Sequence, residues 1–373
     1  MVRARARGRA RRGLAALAAL AAATGAAAGG AAGGVAAREQ VARAAAAARA
    51  VLGLRQDRPL RFERVALSRL ARIVAAERAS VLSGPAGGPV SRALERLGLL
   101  PGGSLEELLR AELRRIPPAW YHPARDTVAI APAPASSPEA WPVVVRAVAR
   151  ALAARAVPEP AGAEPDSRWA RSAVLDGAAA LACHREGGET RRCLGPEFGR
   201  APVLLRALDG LTRAAFERLR DRFEAGGPAA VARYLGRPPA TAARVLHPDD
   251  APPGGPPPNA LSAGELGLRA WLAPVAPGEE AERLAAGWEW DRLDFAGPEE
   301  IVWRTRWRSG SAAARFAGAA ERRLRVAGGG DWRLQRRGRE VSIVLEGRAV
   351  PAEPLGDDPW EGVRFGYGRE EER

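Results

Sequence analysis

Residues 300–309 read Glu300-Ile301-Val302-Trp303-Arg304-Thr305-Arg306-Trp307-Arg308-Ser309. Ile301, Trp303, Thr305 and Trp307 alternate with Val302, Arg304, Arg306 and Arg308, a period of two that fits a strand with one buried and one wet face. Ser309 is placed to cap a helix running to about Val326. Strands are expected near 331–336 and 340–346, split by the turn Arg337-Gly338-Arg339, and another near 288–295. Helices are expected near 262–272 and 278–286. Residues 259–350 therefore read as a β-β-α-β-β unit behind a short helical lead-in, followed by a polar tail, 351–373. The arginines of this unit are expected to form a solvated face.

Upstream the pattern is helical. Segments 36–54, 64–80 and 91–97 have apolar residues near helical spacing. Ser104-Leu105-Glu106-Glu107 is a capping box opening a helix to about Ile116, where Pro117-Pro118 stops it. Thr127-Val128-Ala129-Ile130 reads as a short strand. A helix beginning with Ser136, Pro138 and Glu139 runs to Val157. Further helices are expected over 166–183, 201–223 and 227–235. Residues 236–258, rich in proline and glycine, read as an extended loop. The fold class expected is α+β, with a mainly helical unit at 36–258.

The chain has 373 residues, 47% hydrophobic and 27% charged, a globular composition with room for a sizeable core. Its formal charge of +14 comes without a single lysine. Arg3, Arg5, Arg7, Arg9, Arg11 and Arg12 crowd the N-terminus, and the remaining arginines are scattered among acids. No basic run interleaved with aromatics accompanies them, so nucleic acid is not expected as a partner. Residues 1–35, arginine-rich, then Ala/Leu-rich, then small, read as an export leader cleaved between about Ala23 and Ala37; an Ala/Gly-rich tail is the alternative. The apolar run is too short for a membrane span, and no stable span is expected after leader removal. The expected location is periplasmic or extracellular. Cys183 and Cys193 are expected to close a disulfide loop around Gly187-Gly188, with two free thiols as the alternative.

Five segments occur in a telling order: Leu97-Gly98-Leu99-Leu100-Pro101, Trp120-Tyr121-His122-Pro123, Val174-Leu175-Asp176-Gly177-Ala178, Pro238-Pro239-Ala240-Thr241-Ala242-Ala243-Arg244-Val245-Leu246-His247-Pro248 and Gly287-Trp288-Glu289-Trp290-Asp291-Arg292. Together they resemble a family of exported bacterial proteins regarded as zinc metallopeptidases of the HExxH-plus-glutamate, gluzincin-like type, over roughly residues 50–347. The resemblance implies a metallopeptidase-like core, a helix reading H-E-L-x-H-A-L-Q-D-Q, and a second helix with a glutamate in a Glu-Gly-x-Ala context. Two histidines at i and i+4 share a helix face and can grip one zinc; the glutamate between them activates water.

The corresponding helix here reads Arg146-Ala147-Val148-Ala149-Arg150-Ala151-Leu152-Ala153-Ala154-Arg155. Arg146 and Arg150 stand at the histidine positions and Ala147 at the general base. Asp176, at the third ligand position, keeps a carboxylate on a shorter arm. Arginine stays protonated and has no lone pair for a metal. The resemblance therefore implies a degenerate site with no catalytic residue, no cofactor and no metal, and one of the two arginines paired with Asp176 or another acid. The expected function is that of an exported pseudopeptidase binding a protein or peptide partner. A hydrolase with a site rebuilt from His122, His184, His247 and acids, and an envelope structural protein with a filled groove beside the 138–157 helix, are the alternatives.

Overall fold

A computed structural model of the chain describes residues 37–346 except 57, 85–87, 132–137, 160–163, 200, 249–260, 298–299 and 328–330. The expected leader, the helix start at Ser136, the 258/259 boundary and the tail at 351–373 lie outside the described residues.

The fold is α+β and mainly helical, as the sequence implies. Helix α1 spans 37–52. The strand β1 (Arg61–Arg64) leads to α2 (Leu67–Ser83), α3 (Pro89–Arg96) and α4 (Leu105–Glu112), whose cap Ser104 accepts from the Glu107 amide. Then come β2 (Ala119–His122), β3 (Thr127–Ile130), α5 (Trp141–Ala156) and α6 (Pro165–Arg185). Helix α7 (Thr190–Leu194) is a single short turn before α8 (Val203–Leu235). Within α8, Gly226 and Gly227 leave the helical conformation ahead of Pro228, so the segment is the two helices the sequence suggests, joined end to end.

Three elements depart from the sequence reading. Residues 61–64 and 119–122 are strands, and the stretch read as an extended loop contains α9 (Ala242–Leu246), capped by Thr241. Four residues carry too little alternation to reveal a strand. β1 is held by parallel pairing with β3, some sixty residues downstream, and β2 by antiparallel pairing with the same strand. The turn between β2 and β3 places Asp126 at φ 48°, where its carboxylate receives Tyr121 Oη at 3.2 Å and Arg155 Nη2 at 2.9 Å.

The C-terminal unit has α10 (Gly264–Leu272), α11 (Glu279–Ala285), β4 (Trp288–Phe295), β5 (Glu300–Trp307), α12 (Gly310–Ala327), β6 (Asp331–Arg337) and β7 (Glu340–Glu346). Its antiparallel sheet runs β4-β5-β7-β6. Ile301, Trp303, Thr305 and Trp307 are buried with Val341 and Ile343. Phe316 of α12 stacks on Trp307 with 4.5 Å between rings, and Trp271 of α10 meets Trp303 edge-on at 5.1 Å. On the other face Arg304 pairs with Asp294, and Arg306 with Glu289 and Glu340. That is the solvated face expected.

One continuous apolar core runs from α1 through α5, α6 and α8 into the C-terminal sheet. Gly177 lets α6 and α8 cross closely, because a Cβ there would stand 2.8 Å from the Phe216 amide nitrogen.

Candidate functional site

Helix α5 is apolar nearly all round; besides Arg155 in its last turn, the residues that interrupt it are Arg146 and Arg150, each 2% exposed. Their four-residue spacing puts both guanidiniums on one face. Ala147, between them, is buried and offers no acid or base. Asp176 comes from α6, wholly buried, and the structure brings all three together. Arg146 Nη2 lies 3.1 Å and Arg150 Nε 2.8 Å from Asp176 Oδ1.

Two further members come from α2. Arg78 Nη1 donates to Asp176 Oδ2 at 2.9 Å, and Arg150 Nη2 donates to Glu77 Oε1. Neither residue is singled out by the sequence reading, yet a signal exists. Leu70, Val74, Arg78 and Leu82 follow one another at four-residue spacing, so Arg78 stands inside the buried stripe of α2. Beneath the cluster lies the ring of Trp120 from β2, with the guanidinium carbons of Arg146, Arg78 and Arg150 at 4.8, 5.4 and 5.7 Å from its centroid.

Burial works against every charge here. For Asp176 it would raise the pKa, but Arg150, Arg78 and Arg146 more than offset it and hold the carboxyl well below its ordinary range. Burial is also the largest influence on the arginines. Asp176 and Glu77 outweigh it at Arg150, which is raised, whereas Arg146 is pushed down to about 10.

Helix α7 covers the cluster. Arg146 Nε donates to the Cys193 carbonyl at 2.7 Å and Nη2 reaches the Leu194 carbonyl at 3.4 Å. Cys193 is bonded to Cys183 of α6, with Cα atoms 5.5 Å apart, as expected for the pair. Gly188 packs onto the two sulfurs: a Cβ there would stand 2.5 and 2.7 Å from them.

The three histidines are not assembled into a site. His122 is on β2, and burial followed by Arg125 lowers its pKa. His184, near the end of α6, stands edge-on to Phe216. His247 follows α9, with Nε2 2.9 Å from Glu265 Oε1 in α10; Arg269 pairs with the same carboxylate. Next to this group, Asp291 of β4 accepts from Ser262 Oγ, the Ala263 and Gly264 amides and Trp303 Nε1, tying β4 to the start of α10. Asp166 of α6 is also buried here; its Oδ2 accepts from the Ala242 amide, while Oδ1 has no hydrogen-bond partner among the described residues.

Residues 255–352 match the family model of a domain of unknown function (DUF8575), well under half of the chain. The matched residues coincide with the α+β C-terminal unit. No curated protein and no solved structure matches the chain.

The residues around Asp176 do not fit a zinc ion. A carboxylate in a metal site has its charge met by the metal; here the guanidiniums of Arg78, Arg146 and Arg150 already hydrogen-bond to that carboxylate, and a guanidinium has no lone pair to offer a metal. Among the described residues no group of three or more histidines, cysteines or acids is placed to hold a metal ion. No helix among them is long and apolar enough to cross a membrane.

Proposed function

We propose that the chain is an exported, non-catalytic relative of zinc metallopeptidases, a pseudopeptidase that acts by holding a protein partner. The observation that carries this reading is the pairing of Arg146 and Arg150 with Asp176 on the facing helices α5 and α6. Arginine cations stand where the resemblance implies a metal cation, and Ala147 stands where it implies the base. Such a site neither polarises a peptide carbonyl nor activates water. The disulfide supports the exported location, since such bonds persist in oxidising compartments.

The test is metal analysis and a protease assay on purified protein. We expect zinc far below one per chain and no cleavage of a denatured protein substrate. Stoichiometric zinc, or hydrolysis that a chelator abolishes, would overturn the reading in favour of a working hydrolase.

One observation favours the structural alternative over a peptide held in an inherited cleft. The face of α5 that carries the arginines is covered by α2, α6, α7 and Trp120, leaving Arg146 and Arg150 almost without exposure. A partner would therefore engage another surface, and the cluster would serve to hold the helices together.

A further inference from the structure

The C-terminal sheet ends on β4 at one side and β6 at the other, and the two edges differ. Along β4 the Leu293 amide donates to the Leu261 carbonyl, so the segment before α10 lies on that edge. Among the described residues nothing pairs with the outer side of β6. Register fixes what that side presents. Trp307 of β5 donates to the Arg339 carbonyl, so Val341, Ile343 and Leu345 of β7 turn their backbone groups to β5. The intervening residues of β7 turn theirs to β6, where Asp331, Arg333, Gln335 and Arg337 stand opposite them. The N–H and C=O groups of Trp332, Leu334 and Arg336 therefore point away from the sheet.

The side chains at this edge have a definite chemistry. Trp332 and Leu334 lie opposite Leu345 and Ile343, on the apolar face that α12 packs against, yet both are only half-buried. The apolar layer thus ends with its rim uncovered. Cations stand around that rim. The Arg333 side chain is 71% exposed, and Arg336 and Arg337 are exposed as well. Arg333 pairs with Glu346, but among the described residues no acid pairs with Arg336 or Arg337; Glu340, opposite Arg337, is paired with Arg306. These charges oppose a second copy, because β6 laid against β6 sets arginine beside arginine.

We propose that the outer edge of β6 is a docking site for an extended segment of a partner protein whose side chains alternate between apolar and acidic. The segment adds to the four-stranded sheet as a fifth strand, exchanging backbone hydrogen bonds with Trp332, Leu334 and Arg336. Its apolar side chains continue the layer over Trp332 and Leu334. Its acids meet Arg333 and Arg337 on the opposite face. A folded acidic surface would leave the backbone groups of the edge unmet, and a basic strand would be repelled. The inference goes beyond the pseudopeptidase reading and stands on the sheet alone, whatever the chemistry at Asp176.

Hydrogen exchange read by amide NMR is the first test. In the free protein the amides of Trp332, Leu334 and Arg336 should exchange fast, and those of Arg333 and Gln335 slowly. Slow exchange at all five would show the edge already covered, by the chain itself or a second copy, and overturns the proposal. The probe is a short fluorescein-labelled peptide of alternating valine and glutamate. It should bind saturably by anisotropy and slow exchange at the three outward amides, whereas a valine–lysine peptide should not bind. N-methylating either its valines or its glutamates keeps the charge and removes one row of donors. One of these two peptides should bind about tenfold more weakly, the worth of two or three exposed backbone hydrogen bonds, and the other nearly as well as the parent. Equal affinity for all three acidic peptides, or unchanged exchange at the outward amides, would mean adhesion of opposite charges only and overturns the proposal, as does failure of the parent peptide to bind. Arg336→Pro deletes an outward N–H and spares the pairing with β7, so it should abolish binding. Arg315→Glu, exposed on α12, should leave binding unchanged. If Arg336→Pro fails to fold, the methylated peptides decide.

Discussion

Two buried aspartates show how one residue type serves opposite ends. Asp176 is held ionised by three arginines, so its folded pKa lies below its unfolded value. Its contribution to stability is present above the unfolded pKa and is lost as pH falls through the folded one. Removing it leaves three guanidiniums with Glu77 alone. Asp176→Asn is expected to cost about 3–5 kcal/mol at pH 7, measured by urea denaturation, the range for breaking a buried pair. A loss under about 1 kcal/mol would show that the cluster does not hold the helices together. Asp166 runs the other way. Burial first, then Asp291, Glu265 and Glu164, raise its pKa well above the ordinary value, against the Ala242 amide, which lowers it. Its neutral form is the one the fold favours. That contribution is complete below the unfolded pKa and is lost as pH rises through the folded pKa. Asp166→Asn should therefore be more stable than wild type at pH 7, with the gap closing in urea titrations taken towards pH 4. A variant less stable at pH 7 would refute this account.

At the scale of elements, the disulfide and α7 act as one part. Cys193 is both a bridge sulfur and the carbonyl that accepts from Arg146. Replacing both Cys183 and Cys193 with serine should cost about 2–3 kcal/mol for so short a loop. It should also speed hydrogen exchange across residues 186–199 relative to α6. Unchanged exchange there would mean that α7 is held by Arg146 alone. The same scale shows what was legible beforehand. Strands of seven or eight residues, β4 to β7, declare themselves by alternation, and the break in α8 by Gly226-Gly227-Pro228. β1 and β2 do not, because four residues gain their structure from pairing with β3 rather than from their own pattern. Arg146, Arg150 and Asp176 were singled out through a resemblance, and the structure puts them in contact. Arg78 was readable from its place in the apolar stripe of α2. Glu77 was not, since nothing in its own helix requires a buried acid there.

At the scale of the whole molecule, the helical unit and the matched C-terminal unit share one core. All nine residues of α10 are buried, and Trp271 reaches forward to Trp303 while Asp166 of α6 packs against Gly264. A boundary with this much shared apolar surface leaves little for either side to keep alone. Scanning calorimetry is expected to show one unfolding transition. Two transitions separated by more than about 10 °C would show that the units are independently stable.

The covered arginines also make the molecule a clock for its own opening. Dicarbonyl reagents such as phenylglyoxal attack a guanidinium only where solvent reaches it. Most arginines of this lysine-free chain are exposed to some degree and would be modified within the first minutes. Arg78, Arg146 and Arg150 would wait for the fold to admit the reagent. The rate at which their peptides gain mass should follow the frequency with which α2, α5 and α6 part company. It should then quicken in step with urea, and reduction of the Cys183–Cys193 bridge should advance Arg146 ahead of the other two.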